Sequence, residues 1–333
     1  MQRFVSMRVA AFASVLVLLA TIGCGGAPQN QIALEAKARL ARERAIAEAR
    51  REQREAFVAR AERGDVEAMR ALGEIYASGQ GVPVDHRAAA SLYSKASELG
   101  DTESSYRLAL LYDYGVGVEA DPVRAAALLA RAAKKGHLRA QQHLARMYDE
   151  GRGVQRDPAE ASRWYLAAAE QGDLASQSAM ASRYASGTGV AVDASEAARW
   201  SRKAAEQGSA MDQYQLGFAY EHGLGVARDG FEAERWYRRA AQSGLPDAQY
   251  ALGVLFSAVR GPRRDVIEAY KWLYVAAEGG FPGARRAVQD LERTMGIRDV
   301  EDARALARDW MDRHRKSEAP AERGVSATAG PER

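Results

Sequence analysis

The chain has 333 residues, of which 47% are hydrophobic and 27% are charged, and its formal net charge is +3. This balance excludes a wholly disordered or collagen-like chain, and the length allows one large domain or two ordinary ones. A single cysteine excludes an intramolecular disulfide, and the small net charge is not that of a nucleic-acid-binding protein.

Residues 1–23 have the layout of a secretory signal peptide. Arg3 and Arg8 precede an apolar run from Val9 to Ile22, and small residues lead up to Cys24. This run is too short to span a bilayer comfortably, which favours a cleaved signal over a membrane helix. Without these residues the chain has 45 basic and 44 acidic side chains, so the mature protein is expected to be nearly neutral.

The tetrapeptide that ends at Cys24 resembles the bacterial lipobox, in which the cysteine is lipid-modified and becomes the first residue of the mature chain. It reads Thr21-Ile22-Gly23-Cys24, whereas lipoboxes usually have leucine where Thr21 stands. The resemblance implies a lipid anchor at Cys24 in the cell envelope. Gly25 is not the aspartate associated in some bacteria with inner-membrane retention, so we expect the outer membrane, facing the periplasm. An incidental cysteine is the alternative.

Residues 24–30 are predicted to be a flexible tether, and residues 31–63 are predicted to form one charged helix. The second segment is rich in Ala, Arg and Glu and contains no Gly or Pro. Its apolar residues do not keep a heptad, which argues against a coiled coil. At 1.5 Å per residue the helix is about 50 Å long. We expect a spacer whose Phe57 and Val58 dock on the next segment; a charged helix with no spacing role is the alternative.

A 36-residue internal repeat fills residues 64–279. It is marked by glycines at a constant spacing: Gly64, Gly100, Gly136, Gly172, Gly208, Gly244 and Gly280. The six units are 64–99, 100–135, 136–171, 172–207, 208–243 and 244–279, with no insertion or deletion. In each unit a Leu or Met follows the glycine by eight residues and a Tyr or Phe follows it by twelve. A repeat of this length indicates a solenoid.

Each unit predicts a hairpin of two helices. The first half, as in Ala140–Tyr148, has apolar residues at positions i, i+4 and i+8, which form one buried helix face. A Gly-x-Gly pair then ends the helix, and in the sixth unit it is reduced to Gly261. The aspartate that follows in every unit is the predicted N-cap of the second helix: Asp85, Asp121, Asp157, Asp193, Asp229 and Asp265. In the last four units a glutamate lies three residues after the aspartate, which is capping-box spacing and favours a structural role over a catalytic one.

These recurring residues resemble the Sel-like repeat (SLR) family, a relative of the tetratricopeptide repeat. The resemblance implies an all-α, right-handed α-solenoid of antiparallel helix pairs. Residues 280–315 resemble a degenerate seventh unit with helices at 280–293 and 300–314, which we expect to cap the solenoid, and residues 316–333 are expected to be disordered. Some secreted members with paired cysteines in each repeat are associated with binding or hydrolysing penicillins, and the lack of such pairs argues against that activity here.

The sequence contains no recognisable catalytic motif. Gly-x-Ser-x-Gly, Ser-x-x-Lys and His-Glu-x-x-His are absent, and no cysteine cluster is present. The Gly-x-Gly pairs recur before capped helices and not after a strand, so we interpret them as turns and not as nucleotide-binding loops. We therefore predict a protein that is not an enzyme and that has no cofactor and no metal.

By analogy with tetratricopeptide repeats, the first helix of each unit is expected to line the concave face. The positions six, ten and fourteen residues after each glycine then supply the candidate partner-binding residues: Tyr106, Leu110, Tyr114, Arg146, Tyr214, Phe218, His222 and Tyr250. Four of these, Tyr214, Phe218, His222 and Tyr250, are predicted to form one aromatic patch. The alternative for the tyrosines six residues after the glycine is packing between repeats.

The predicted function is an envelope-anchored scaffold or adaptor that binds a partner protein or peptide in the concave groove of the solenoid. Its partners would be a protein or peptide and, through the lipid, the membrane, with peptidoglycan as a further possibility and no nucleic acid. Two alternatives stay open. One is an envelope hydrolase that acts on lactams or peptidoglycan, and the other is a purely structural lipoprotein associated with the cell wall.

Overall fold

The computed structural model describes residues 28–258 and 265–318. These residues contain fifteen α-helices and no strand, which confirms the expected all-α fold. The predicted signal peptide, Cys24 and most of the tether lie outside the described residues, as do the turn around Gly261 and the chain beyond Glu318. None of the helices in the described ranges has the length and apolar character that a bilayer-spanning segment requires.

The chain divides after Ser104 into two compact units. The helices up to that boundary are α1 (Pro28–Glu62), α2 (Val66–Ser78), α3 (His86–Glu98) and the start of α4 (Thr102–Tyr114). The second unit continues with α5 (Pro122–Lys134), α6 (Leu138–Glu150), α7 (Pro158–Glu170), α8 (Leu174–Ser186), α9 (Ala194–Glu206), α10 (Ala210–His222), α11 (Gly230–Gln242), α12 (Pro246–Ser257), α13 (Val266–Glu278), α14 (Ala284–Glu292) and α15 (Ile297–Glu318). From α5 to α14, successive helices form the hairpins of a solenoid, each packed on the next, and α15 packs on α13.

Helix α1 begins at Pro28, three residues before the predicted start, because proline is well tolerated in the first turn of a helix. Its side chains from residue 33 to residue 53 are almost all exposed, and Leu34, Leu40 and Ile46 are each about half exposed. Near the end of the helix Phe57 and Val58 become half-buried. The segment is therefore a helix that gains tertiary contacts only toward its C-terminal end.

The turn inside each hairpin is closed by the backbone of the recurring aspartate. Its N–H donates to the carbonyl of the Tyr or Phe nine residues earlier, at 2.8–3.1 Å in all six units. The turn also requires glycine: Gly189 has a φ of +70°, and a Cβ there would overlap the carbonyl oxygen of Pro158 in the preceding unit. Because the turn touches the previous hairpin, its geometry also sets how neighbouring hairpins of the second unit pack.

The aspartate side chains cap the second helices. Each accepts hydrogen bonds of 2.9–3.1 Å from backbone N–H groups two or three residues further on: Asp85, Asp121, Asp157, Asp193, Asp229 and Asp265. The reciprocal half of a capping box does not form, although the glutamate spacing predicts one. The aspartate N–H is already bonded to the tyrosine or phenylalanine carbonyl, so each glutamate instead pairs with the Arg or Lys three residues after it.

The first helices have caps that the sequence analysis missed. In five of the six units the residue directly after the marker glycine accepts a hydrogen bond from a backbone N–H three residues later: Asp65, Asp101, His137, Asp173 and Ser209. In the sixth unit Leu245 occupies this position and makes no such bond. The signal was a polar residue directly after each of the first five glycines, a residue type that is favoured at the N-cap of a helix.

The core of the second unit combines small and large side chains. Pairs of alanines near the end of the second helices, such as Ala132-Ala133 and Ala240-Ala241, are at most 1% exposed and let adjacent helices approach closely. The indoles of Trp200, Trp236 and Trp272 fill the remaining space at 1% exposure each.

The last two helices differ from the predicted capping repeat. The second of them, α15, begins at Ile297 and ends at Glu318, so it is longer at both ends than the expected 300–314. Residues 316–318, which we expected to be disordered, continue this helix because nothing breaks it before Pro320. The Trp310 ring packs edge-on against Trp272 at 5.4 Å, so α15 covers the last core tryptophan.

Candidate functional site

The candidate tyrosines that lie six residues after the marker glycines are half-buried. Each ring lies against another aromatic ring: Tyr106 against His137 at 4.8 Å, Tyr214 against Tyr237 at 5.7 Å, and Tyr250 against Phe281 at 4.6 Å. All three also pack on hydrophobic clusters of the second unit. This position therefore contributes to packing, and part of each ring stays at the surface.

Phe218 and His222 are the exposed aromatic pair of α10. Their rings stack at 4.1 Å, Phe218 is 40% exposed, and the Nδ1 of His222 lies 3.0 Å from the carbonyl oxygen of Phe218. Because that oxygen can only accept, Nδ1 carries the proton and Nε2 is a free acceptor when the ring is neutral. The predicted patch of four aromatics is thus split, since Tyr214 and Tyr250 turn to Tyr237 and Phe281 instead.

The other three candidates lie near the contact between α4 and α6. Leu110 is half-buried, Tyr114 is 58% exposed, and Arg146 is exposed. The Tyr114 ring stands edge-on to His143 at 6.3 Å, and Nη2 of Arg146 lies 3.3 Å from Nε2 of His143. These side chains surround a buried polar group that the sequence analysis did not identify.

That buried group is formed by Asp113, His143 and Arg152. Nε2 of His143 lies 2.8 Å from Oδ2 of Asp113, and the Arg152 guanidinium lies 3.0 Å from the same oxygen. The carboxylate is fully buried, and its Oδ1 makes no hydrogen bond among the described residues. Burial lowers the pKa of His143, and the hydrogen bond to Asp113 opposes this shift only in part. At neutral pH the imidazole is therefore uncharged and donates to the carboxylate.

A nearly uncharged surface is formed by the first helices of the fourth, fifth and sixth units. We name it the neutral face and define it by six of the exposed side chains of α8, α10 and α12: Ser182, Ser186, Met211, Phe218, His222 and Val254. Met211, Phe218 and Val254 are 48%, 40% and 37% exposed. The hydroxyl of Ser178 donates to Asp212, which links α8 directly to α10.

The helices that form the neutral face have few charged side chains. The only charged residue of α8 is Arg183, which is 7% exposed and paired with Asp149. Helix α10 has Asp212, which is 2% exposed, and Glu221, while α12 has only Asp247. The second helices α9 and α11 carry five charged side chains each. Charge is therefore concentrated on the second helices, and the first helices display apolar and hydroxyl groups.

Two carboxylates near the neutral face, Asp247 and Glu221, act electrostatically on Tyr214. Burial is the main cause that raises the pKa of Tyr214, and the negative charges of Asp247 and Glu221 raise it further. Glu221 accepts a hydrogen bond of 2.8 Å from the hydroxyl of Tyr237, whose pKa burial and this carboxylate raise strongly. Within the described part of the chain, neither Glu221 nor Asp247 forms an ion pair.

The remaining polar surface of the described residues contains no stronger candidate site. Among the described residues no group of three or more His, Cys, Asp or Glu side chains is placed to hold a metal ion. A cavity of about 550 Å³ lies beside α9 and α11. Its arginines are already engaged, since Arg202 bonds to Tyr220 and Arg235 pairs with Glu232. The neutral face is therefore the strongest candidate for recognition.

Comparison with known proteins agrees with this architecture. Six consecutive segments match the family model of the Sel1 repeat: residues 66–101, 102–137, 138–173, 174–209, 210–245 and 246–281. No curated protein matches the chain.

Two solved structures of Sel1-repeat proteins are similar to this chain. The protective antigen c5321 of uropathogenic Escherichia coli, which displays an SLR fold, is 28% identical, with a TM-score of 0.53. That match covers 78% of this chain and 63% of the antigen, so it spans less than two thirds of the antigen. A Sel1 repeat protein from Oxalobacter formigenes is 29% identical over 63% of this chain and 84% of its own, with a TM-score of 0.47.

Proposed function

Because the chain belongs to the Sel1 repeat family, we propose that it is an envelope-anchored scaffold whose neutral face holds a partner protein or peptide. The Sel1 repeat fold is commonly a protein–protein interaction scaffold, and proteins of this family are generally non-catalytic. The family thus supports binding as the class of function, and the exposed surface suggests where binding takes place.

The proposal rests on the difference in charge between the first helices α8, α10 and α12 and the second helices α9 and α11. Burying Met211, Phe218 and Val254 would remove apolar area from water without the cost of desolvating charges, which is the property of the centre of an interface. Aromatic residues in such a centre tend to dominate binding energy. These side chains also lie on helices that a packed core holds in place, so little conformational entropy is lost on binding.

A charge placed at Phe218 tests this assignment. We expect Phe218→Glu to abolish the cross-linking of the protein to its partner in intact envelopes, as measured by mass spectrometry. The matched control is Phe231→Glu, because Phe231 is 67% exposed on α11 in the same repeat but belongs to the charged side. Equal loss in both variants, or retention of the partner in Phe218→Glu, would contradict the assignment to the neutral face.

We further propose that lipid on Cys24 holds the mature chain at the outer membrane, facing the periplasm. The basis is the signal-like sequence of residues 1–23 and the lipobox-like approach to Cys24. Several acyl chains on one cysteine would anchor the protein firmly, since each buried methylene contributes about 0.8 kcal/mol. The predicted spacer α1 would then separate the repeats from the membrane.

Labelling with a radioactive fatty acid tests the anchor separately from the binding surface. We expect the label in the wild-type protein and none in Cys24→Ala, which should also leave the membrane fraction. A wild-type protein that takes up no label, or a Cys24→Ala variant that remains labelled, would refute lipidation at this residue. Neither result bears on the neutral face.

A further inference from the structure

Two oriented arginines line the cavity of about 550 Å³ beside α9 and α11. Arg202 belongs to α9, the second helix of the fourth unit, and Arg228 belongs to the turn of the fifth unit, just before α11. The hydrogen bond from Arg202 to the hydroxyl of Tyr220 orients the guanidinium but leaves its charge in place, because a phenol hydroxyl is neutral. The Nε of Arg228 donates to the backbone carbonyl of Glu221 at 2.8 Å, which uses only one of its N–H donors.

The carboxylates that line this cavity already have other partners. Glu232 pairs with Arg235 at 2.8 Å. Asp229 accepts two backbone N–H groups as the cap of α11. Within the described ranges, neither Arg202 nor Arg228 forms an ion pair. Two guanidinium charges therefore line one cavity without a carboxylate partner.

The sequence outside the described ranges adds no acidic residue next to this cavity. Residues 259–264, which follow α12, contain three arginines and neither Asp nor Glu. Residues 319–333 contain two glutamates and two arginines. They follow α15, whose His314 lies against Gly244, at the other end of α11 from Arg228. The segment nearest in the chain can therefore add only positive charge here.

The repeat supplies an internal comparison for Arg202. Arg238 occupies the same position one unit later, and it pairs with Glu234 at 2.9 Å and lies 3.6 Å from Glu268. In α9 the position of Glu234 is taken by Ala198. The same arginine is thus neutralised by two carboxylates in α11 and by none in α9.

The turn arginine can be compared in the same way. Arg156 occupies the position of Arg228 two units earlier, and its Nε makes the same contact with the backbone carbonyl of Asp149, at 2.9 Å. In the second unit, however, the position of Arg202 is taken by Ala130. Among the turns that the structure describes, only that of the fifth unit therefore combines both arginines.

We propose that this cavity binds a phosphate monoester, with the phosphate on Arg202 and Arg228 and the organic part against the walls formed by Tyr220, Val226 and Ala227. Guanidinium groups bind phosphate through paired, charge-assisted hydrogen bonds. A phosphate monoester carries about 1.5 to 2 negative charges at neutral pH, which matches two unpaired guanidinium groups, whereas a carboxylate carries one. The volume of the cavity is also within the range of about 300–1,000 Å³ that is typical of small-molecule sites.

Isothermal titration calorimetry on the full chain in detergent tests the inference with phenyl phosphate, benzoate and inorganic phosphate. We expect phenyl phosphate to bind at least about tenfold more tightly than benzoate, which has a similar ring but a single charge. Inorganic phosphate should bind more weakly than phenyl phosphate, because it has no ring to place against Tyr220. Equal affinities for phenyl phosphate and benzoate, or no binding of phenyl phosphate, would overturn the inference. Inorganic phosphate that binds as tightly as phenyl phosphate would refute the contact with the cavity wall.

Two variants and two matched controls locate the effect. We expect Arg202→Gln and Arg228→Gln each to weaken the binding of phenyl phosphate at least about tenfold. Arg228 is exposed, so its replacement leaves the core intact. Lys203→Gln removes the same charge from the next residue of α9, which does not line the cavity, and Arg156→Gln removes the turn arginine of the third unit. Both controls should keep the wild-type affinity, and thermal unfolding of all four proteins verifies the fold. Equal losses in variants and controls would overturn the assignment.

Two further probes distinguish the sources of a phosphate monoester. Short-chain phosphatidic acid represents a lipid headgroup, and glycerol 3-phosphate represents a soluble compound. Since both proteins are in the same detergent, the difference between the wild type and Arg228→Gln reports on the cavity alone. Tighter binding of either probe to the wild type supports the inference and assigns the source, whereas no difference for both probes would refute it. Binding here is independent of the neutral face, so Phe218→Glu should leave the affinity for phenyl phosphate unchanged.

Discussion

Replacing Asp113 by alanine removes a fully buried carboxylate that links α4 to α6. Its Oδ2 pairs with Arg152 at 3.0 Å and accepts from His143 at 2.8 Å. The His143 side chain is 6% exposed, so its N–H would be left buried without a partner, which costs about 1–3 kcal/mol. The Arg152 side chain is 33% exposed and can turn to water, so it adds less than the 3–5 kcal/mol typical of a broken buried ion pair.

The expected loss in the free energy of unfolding is therefore about 2–4 kcal/mol for Asp113→Ala. Asp113→Asn keeps an oxygen for the His143 N–H and should lose about 1 kcal/mol. Urea unfolding followed by circular dichroism measures the difference, and hydrogen exchange in α4 and α6 shows whether it is local, since neighbouring repeats can open separately. Equal losses for the two variants would refute the argument that the unpaired His143 N–H dominates the cost.

Three further predictions concern the turns and the titration of the buried histidine. Asp157→Ala should lower stability by about 1 kcal/mol and leave peptide binding unchanged, because its carboxylate only caps α7; loss of binding without loss of stability would contradict this. Gly189→Ala should cost about 2 kcal/mol or more in thermal unfolding, since φ is +70° and the new Cβ meets Pro158; an unchanged midpoint would show that the turn relaxes. Because burial lowers the pKa of His143 in the folded state, protonation favours unfolding, and the free energy of unfolding should fall as the pH drops below about 6.5. A His143→Gln variant should lack this pH-dependent loss of stability. An identical pH profile of stability in the variant and the wild type would disprove the prediction.

The regular elements followed from the period of the sequence. Helices, turns and the side chains that cap the second helices recur every 36 residues, so each assignment is supported by several copies of the same pattern. The bonding inside the turn did not follow from spacing alone. Glu160 lies at capping-box distance from Asp157, yet the N–H that it would accept is taken by the carbonyl of Tyr148, nine residues before the aspartate. A local motif was overridden by a contact that only the folded hairpin creates.

The buried polar group was missed for a related reason. Asp113 and His143 are 30 residues apart and occupy different positions in their units, so neither the period nor a short motif connects them. They meet because the last turn of α4 lies against the middle of α6. An interaction of this kind becomes visible only after the hairpins are stacked, when residues near the end of one first helix can be compared with residues in the middle of the next.

The candidate surface was predictable as a set of positions but not as a set of exposed groups. Tyr214 and Phe218 are one helical turn apart on α10, and the sequence placed both on the same face. Their environments differ because the Tyr214 ring reaches Tyr237 of the second helix, whereas Phe218 finds only His222 of its own helix. The position six residues after the glycine is tyrosine in three of the six units, and each of these rings packs on another aromatic ring. The position ten residues after each glycine carries a different residue in every unit, and at Phe218 it is exposed, so we expect a particular partner to be recognised there.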